Sequence, residues 1–378
     1  MQEIRDILES LKTSDWWKRK SSIEALISHH EDLYLDVLKE WLKNDADALL
    51  RNASMEIYRA LGRRSLKSLI SLLKDEDSDV RVFAANILGD IKQGDSLNAL
   101  IDSLNDSDIN VRVASAESLG KIGDEMAVSS LANRLDDASW VAMACIEALG
   151  EIGGDKALSV LHKCLEKEEY HGITFAAIEN AGDMHCIRRL TPYVDREGEM
   201  RELALKAIVN IADREGTRPL PSYFISLVPL LMELQQSPRH ELKKAAFIAL
   251  SWSEDIRGLQ YFIDAINSDD LQEYAIKGLM SLGKKAVPGI IDSFKKTSGN
   301  RAILAKVLSM LGENHALLKF ADDDDPEVRT EVALAIGALK TSKAKDILLI
   351  LEQDEAEEVR EAARLSLKNF GNMAINSL

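Results

Sequence analysis

The sequence predicts an all-α chain, a right-handed α-solenoid: a superhelix of about twelve helical hairpins. Three observations carry that prediction. A ten-residue phrase returns about every 30 residues along nearly the whole chain. Within each copy, apolar or small residues fall at helical spacing. The composition is that of packed helices, with 46% hydrophobic and 29% charged residues, 5% aromatic and seven prolines in 378 residues.

The phrase is clearest in the middle of the N-terminal half. VRVFAANILG (80–89) returns as VRVASAESLG (111–120), VAMACIEALG (141–150) and ITFAAIENAG (173–182). ASMEIYRALG (53–62) precedes these copies, and WWKRKSSIEALIS (16–28) reads as a divergent first member. MRELALKAIV (200–209), LKKAAFIALS (242–251), LQEYAIKGLM (271–280), ILAKVLSMLG (303–312), VRTEVALAIG (328–337) and VREAARLSLK (359–368) follow. Each copy is one helix, apolar at its first, fourth, fifth, eighth and ninth positions. Asp, Ser or Asn just before it, as in Asp77–Ser78–Asp79 and Asp106–Ser107–Asp108, can cap the first free amides. The tenth-position glycines Gly62, Gly89, Gly120, Gly150 and Gly182 suit a left-handed helix stop. Shorter apolar stretches between copies, such as SLKSLISLL and SLNALIDSL, supply the other helix of each hairpin. One hairpin cannot bury its own apolar face, so successive hairpins must stack.

The D-x-x-VR-x-x-A-A-x-x-LG pattern at this period resembles the short HEAT repeats named after phycobilisome lyases, most strongly between 76 and 184. The resemblance implies architecture firmly and function hardly at all. It also implies a structural use for Arg81, Arg112, Arg329 and Arg360, as an Asp–Arg ladder between neighbouring repeats. The period breaks once, between Asp213 and His240, where four of the seven prolines lie. The expected organisation is therefore one continuous solenoid. It has repeats at 1–213, a longer loop or hinge at 214–238, and further repeats at 239–378.

Charge narrows the partner classes. The net charge is −16, and residues 76–184 carry 21 acidic against 8 basic side chains. Such a field repels nucleic acid and anionic membrane and attracts basic partners. No run approaches the roughly 18 apolar residues of a membrane helix. The charged N-terminus is unlike a secretory signal, and three cysteines make no disulfide framework, so a cytoplasmic home is expected.

Candidate chemistry is thin. Iron-dependent hydroxylases with HEAT-like repeats need four suitably paired His-Glu dipeptides, whereas this chain offers His30–Glu31 and His240–Glu241. His162, Cys164, His171, His185 and Cys186 lie within 25 residues but lack the spacing of a zinc module. The acidic runs Asp322–Asp325 and Asp354–Glu358 lack the glycine turn of a calcium loop and read as helix-capping turns. No cofactor is expected.

One feature points to a surface. Third and seventh positions of the second helix share a face that the core does not claim. By the family resemblance that face is concave. The third position reads Met55, Val82, Val113, Met143 and Phe175; the seventh reads Arg59, Asn86, Glu117, Glu147, Glu179 and Lys206. Trp140 and Tyr170 add aromatic area. An apolar row flanked by carboxylates suits an amphipathic basic segment of another protein laid in a groove. The leading expectation is thus a non-catalytic scaffold, its partner held by Val82, Val113, Met143, Phe175, Trp140, Glu117, Glu147 and Glu179. The same side chains can equally finish packing between hairpins. Two other functions stay open: an enzyme subunit of the chromophore-lyase kind, resting on the repeat resemblance, and nucleic-acid binding, which the charge opposes.

Overall fold

The computed structural model describes residues 2–11, 15–28, 34–43, 47–294 and 301–371. Among them are helices and turns and no strand. Among the described residues twenty-four α-helices follow one another as twelve hairpins, each a first helix followed by a second. Six hairpins are α1 (Gln2–Ser10) with α2 (Trp16–Ser28), α3 (Leu35–Leu42) with α4 (Ala48–Leu61), α5 (Leu66–Leu72) with α6 (Ser78–Ile91), α7 (Leu97–Ser103) with α8 (Ile109–Ile122), α9 (Val128–Ala132) with α10 (Ser139–Ile152) and α11 (Gly154–Cys164) with α12 (His171–Ala181). The other six are α13 (Met184–Val194) with α14 (Glu199–Glu215), α15 (Val228–Glu233) with α16 (His240–Trp252), α17 (Leu259–Asp264) with α18 (Gln272–Leu282), α19 (Val287–Ser293) with α20 (Arg301–Met310), α21 (Asn314–Leu317) with α22 (Pro326–Ile336) and α23 (Ser342–Leu351) with α24 (Glu357–Gly371). The chain is an all-α solenoid.

It divides into two compact units, Met1–Cys186 and Ile187–Leu378. The proline-bearing stretch lies within the second. There Val228, Leu231 and the fully buried Phe224 pack as the first half of the eighth hairpin, reached by a longer loop.

Each hairpin buries a stripe from both helices. Leu97, Leu100 and Leu104 face Val111, Ala114 and Leu119, all nearly inaccessible to solvent. Burying a leucine contributes about 1.5–3 kcal/mol relative to leaving it exposed. Asp47, Asp77, Asp108 and Asp325 cap second helices, their carboxylates accepting the amides of Leu49, Asp79, Asn110 and Glu327 at 2.8–3.0 Å.

The glycines do two jobs, and this corrects the expected helix stops. Gly89, Gly120 and Gly150 lie inside α6, α8 and α10, not at their ends. A Cβ on Gly120 would sit 2.8 Å from the Ala148 Cα, and one on Gly150 equally close to the Ala177 Cα. These glycines let consecutive second helices touch. The left-handed stop comes three residues later, at Lys92, Gly123 and Gly153 (φ 55°, 75° and 67°).

The arginine ladder is present at Arg81, Arg112 and Arg329, whereas Arg360 reaches the Asp354 and Glu355 carbonyls at 2.8 Å and makes no rung among the described residues. Arg81 Nε and Nη2 each donate at 2.8 Å to the Asp106 carboxylate, and its Nη1 donates to the Asp75 carbonyl at 2.9 Å. Arg112 donates to Asp137 through Nη2 alone, at 2.9 Å, and through Nη1 to the Asp106 carbonyl; Arg329 donates through both Nε and Nη2 to Asp354 and through Nη1 to the Asp323 carbonyl. Burial alone would raise the Asp106 carboxyl. The hydrogen bonds from Arg81 and the Asp108 amide outweigh it and hold the group below its usual range.

A candidate docking face in the first unit

A polar second position fixes the register of the face in several second helices. Its side chain donates to the carbonyl six residues earlier: Arg81 to Asp75, Arg112 to Asp106, Gln272 to Ile266 and Arg329 to Asp323. In α12 the His171 Nε2 lies 3.0 Å from the Leu165 carbonyl, again six residues back. His171 is therefore the second position, and the whole helix is set three residues earlier than its sequence phrase implies.

That shift moves two expected site residues. Phe175 falls at the sixth position and is 1% exposed, a core side chain. Glu179 falls at the tenth, half-buried in the place Gly150 holds in α10. Gly172 and Ala176, both exposed, occupy the face instead. Gly182, aligned by sequence with the tenth-position glycines, stands thirteenth and ends α12, but in extended backbone (φ −76°), not as the left-handed stop expected of it. α4 and α20 shift in the same way, with Gly62 and Gly312 (φ 54° and 77°) closing them; Met55 and Arg59 leave the row with them. Tyr170 is buried as well.

The remaining row spans hairpins three to five. Val82, Val113 and Met143 are half-buried side by side on α6, α8 and α10. Trp140, 71% exposed, lies one turn before Met143 on the same helix. Glu117 and Glu147 are exposed next to that row, and among the described residues neither makes an ion pair. Burial raises the Glu147 carboxyl above its ordinary value, and the charges of Glu117 and Glu151 raise it further. Among the described residues none of these three carboxylates makes an ion pair.

The other candidates resolve into structure. Asp323 accepts from Arg301 at 2.9 Å and from the Asp325 amide, and Asp354 from Arg329 and the Ala356 amide, so both acidic runs serve the ladder and helix starts. His162 Nδ1 lies 2.6 Å from the Leu158 carbonyl, and His185 is exposed beside Asp183. Cys164 and Cys186 are buried thiols, as is Cys145, whose burial pushes it up to about 12. Among the described residues no three His, Cys, Asp or Glu side chains gather as metal ligands. His30–Glu31 lies outside the described residues, and His240 faces Glu241 and Asp270 at 3.6 Å on the surface.

The family pattern for HEAT repeats matches residues 66–142 and 298–368, and that for the PBS lyase HEAT-like repeat matches 141–167. Over these residues the chain carries HEAT repeats. No curated protein matches this chain. Among solved structures it is similar to a mutant of Kap121p (16% identity, 98% of this chain, 48% of that one, TM-score 0.54). The karyopherin Kap121p bound to the extreme C-terminus of the protein phosphatase Cdc14p matches at 16% identity, 98% and 49% coverage and TM-score 0.51. A homology model of the full-length AP-3 complex matches at 14% identity, 98% and 82% coverage and TM-score 0.51. This chain spans about half the length of Kap121p, and at such identities the likeness is one of fold. No helix among the described residues is long and apolar enough to cross a membrane.

Proposed function

We propose that the chain is a non-catalytic protein-interaction scaffold that holds a basic, amphipathic segment of a partner protein on the second-helix face of hairpins three to five. The observation that carries this reading is the group of carboxylates of Glu117, Glu147 and Glu151, none in an ion pair among the described residues, beside the apolar row Val82, Val113 and Met143. A partner cation placed among those carboxylates relieves their mutual repulsion, while Met143 and the exposed Trp140 give apolar anchorage. Kap121p, of the same fold, is seen with a protein segment bound, which favours a protein partner over other classes. The charge of residues 76–184 disfavours nucleic acid. Three buried cysteines outside any disulfide accord with a cytoplasmic protein.

The test is retention of native partners by the immobilised whole chain, compared with a Glu117→Lys/Glu147→Lys variant and with Trp140→Ala. Charge reversal is expected to slow association and flatten its salt dependence. Trp140→Ala is expected to speed dissociation, costing about 1–3 kcal/mol of affinity. Equal retention of the same partners by both folded variants defeats the reading.

A further inference from the structure

The same face in the second unit is built differently. At the tenth position, where α6, α8 and α10 carry glycine, α14, α16 and α18 carry Val209, Ser251 and Met280. All three side chains line cavities that open along these helices, Val209 one of about 250 Å³, Ser251 and Met280 one of about 540 Å³. Between the two cavities Tyr274 of α18 donates its hydroxyl proton to Asp213 of α14 at 2.7 Å, reaching past α16. Asp213 and Tyr274 line both cavities, so this hydrogen bond is the partition between them.

The larger cavity has the size of a ligand site, and its chemistry selects the occupant. Trp252, Ile276, Met280 and Met310 supply apolar surface, two of them methionines that adapt to varied shapes. The charged rim is already paired. Arg218 donates to Glu254 at 2.8 Å and to the Trp252 carbonyl at 3.1 Å, and Lys277 meets Glu273 at 2.6 Å. Asp213 accepts from Tyr274. Two ion pairs and the one remaining carboxylate, Asp213, leave the rim at a net charge of −1, which repels a phosphate and is too small to gather a polycation. The rim does offer donors and acceptors to a polypeptide backbone.

We propose that this cavity is an anchor pocket for large apolar side chains of a partner peptide carrying little net charge, separate from the acidic face of the first unit. The scaffold then has two docking surfaces of different chemistry. One is read by charge and the other by buried side chains.

The experiment is selection of short random peptides displayed on phage against the whole chain, followed by affinity measurement of the enriched peptides in synthetic form. The expected winners are near-neutral and share large apolar residues. Met310 is 55% exposed, so Met310→Glu leaves the core intact while placing a charge in the cavity mouth. That variant and Met280→Glu are expected to weaken these peptides by at least about tenfold, a difference of about 1.4 kcal/mol. The Glu117→Lys/Glu147→Lys variant is expected to bind them as wild type does. Failure to enrich any such peptide, or equal binding by both methionine variants, overturns the proposal. Winners that are basic and lost only on charge reversal also overturn it, while leaving the reading of the first unit standing.

Discussion

Hairpins three to six and hairpins seven to nine use the same helix face and the same ten-position grammar, yet one stretch is closed and the other is open. The difference lies in two positions. In the first stretch, tenth-position glycines bring second helices into backbone contact, and second-position arginines reach the aspartate of the next hairpin. In the second stretch Val209, Ser251 and Met280 stand at the contact; at the second position Arg201 donates to the Val194 carbonyl at 3.1 Å, and Lys243 and Gln272 replace the arginine. Gln272 keeps the bond to the carbonyl six residues back and, being neutral and short, makes no rung to a neighbouring aspartate. On this face the spacing between second helices thus follows single side chains, and the two cavities lie where the glycine is replaced.

The comparison breaks most sharply at the glycines. Gly150→Ala drives a methyl against the Ala177 backbone at 2.8 Å, and we expect a loss of about 1–3 kcal/mol in thermal or urea unfolding. Ser251→Ala in the open stretch adds no volume and should be nearly neutral. Equal effects at the two sites refute the role given to the tenth position.

Next in size is the ladder. Arg81 and Asp106 side chains are 12% and 14% exposed, so Arg81→Ala strands a half-buried carboxylate and should cost about 1–3 kcal/mol. Removing Lys156 from its exposed pair with Glu125 should cost at most about 0.5 kcal/mol. The rung also has a pH signature. The Asp106 carboxyl is held below its ordinary 3.8 in the folded chain, so the unfolded chain takes up protons first. The rung's stabilisation is complete above that value and is lost as pH falls through the lower folded one. Acid unfolding of Arg81→Ala should therefore lose part of its pH dependence below about pH 4.

The smallest expected effect is a gain. The Glu147 carboxyl is raised above its ordinary 4.5, so its charge opposes folding at neutral pH. Glu147→Gln should raise Tm slightly at pH 7, and the gain should shrink as pH falls towards 4.5. A loss of Tm at pH 7 refutes the crowding of carboxylates inferred for the candidate face.

Much of this was legible in the sequence, because a hairpin repeat writes its core at helical spacing. The twelve hairpins, the Asp–Arg rungs and the row Val82, Val113 and Met143 all follow from it. What failed was register within a helix. Glycine serves both at the tenth position and at the thirteenth, and three residues is close to one helical turn. Sliding a phrase by one turn keeps nearly all its apolar positions apolar, so Gly182 passed for a tenth-position glycine and carried Phe175 and Glu179 onto the wrong face. The signal that separates the two registers was present but faint: a polar side chain at position two, His171 in α12 and Arg301 in α20, each marking a helix start. The cavities were not legible, since they depend on how far Val209, Ser251 and Met280 hold neighbouring helices apart.

The rung contacts also bear on how such a chain can change length. Arg81 and Arg112 are 31 residues apart, and each binds only its own preceding turn and the aspartate of the following one. Excising the residues from one arginine to the next joins a complete donor to a complete acceptor. No bond is left half made. Every rung is in this sense a seam at which whole hairpins can be duplicated or lost without relearning the fold, whereas a cut of any other length leaves an arginine facing the wrong partner.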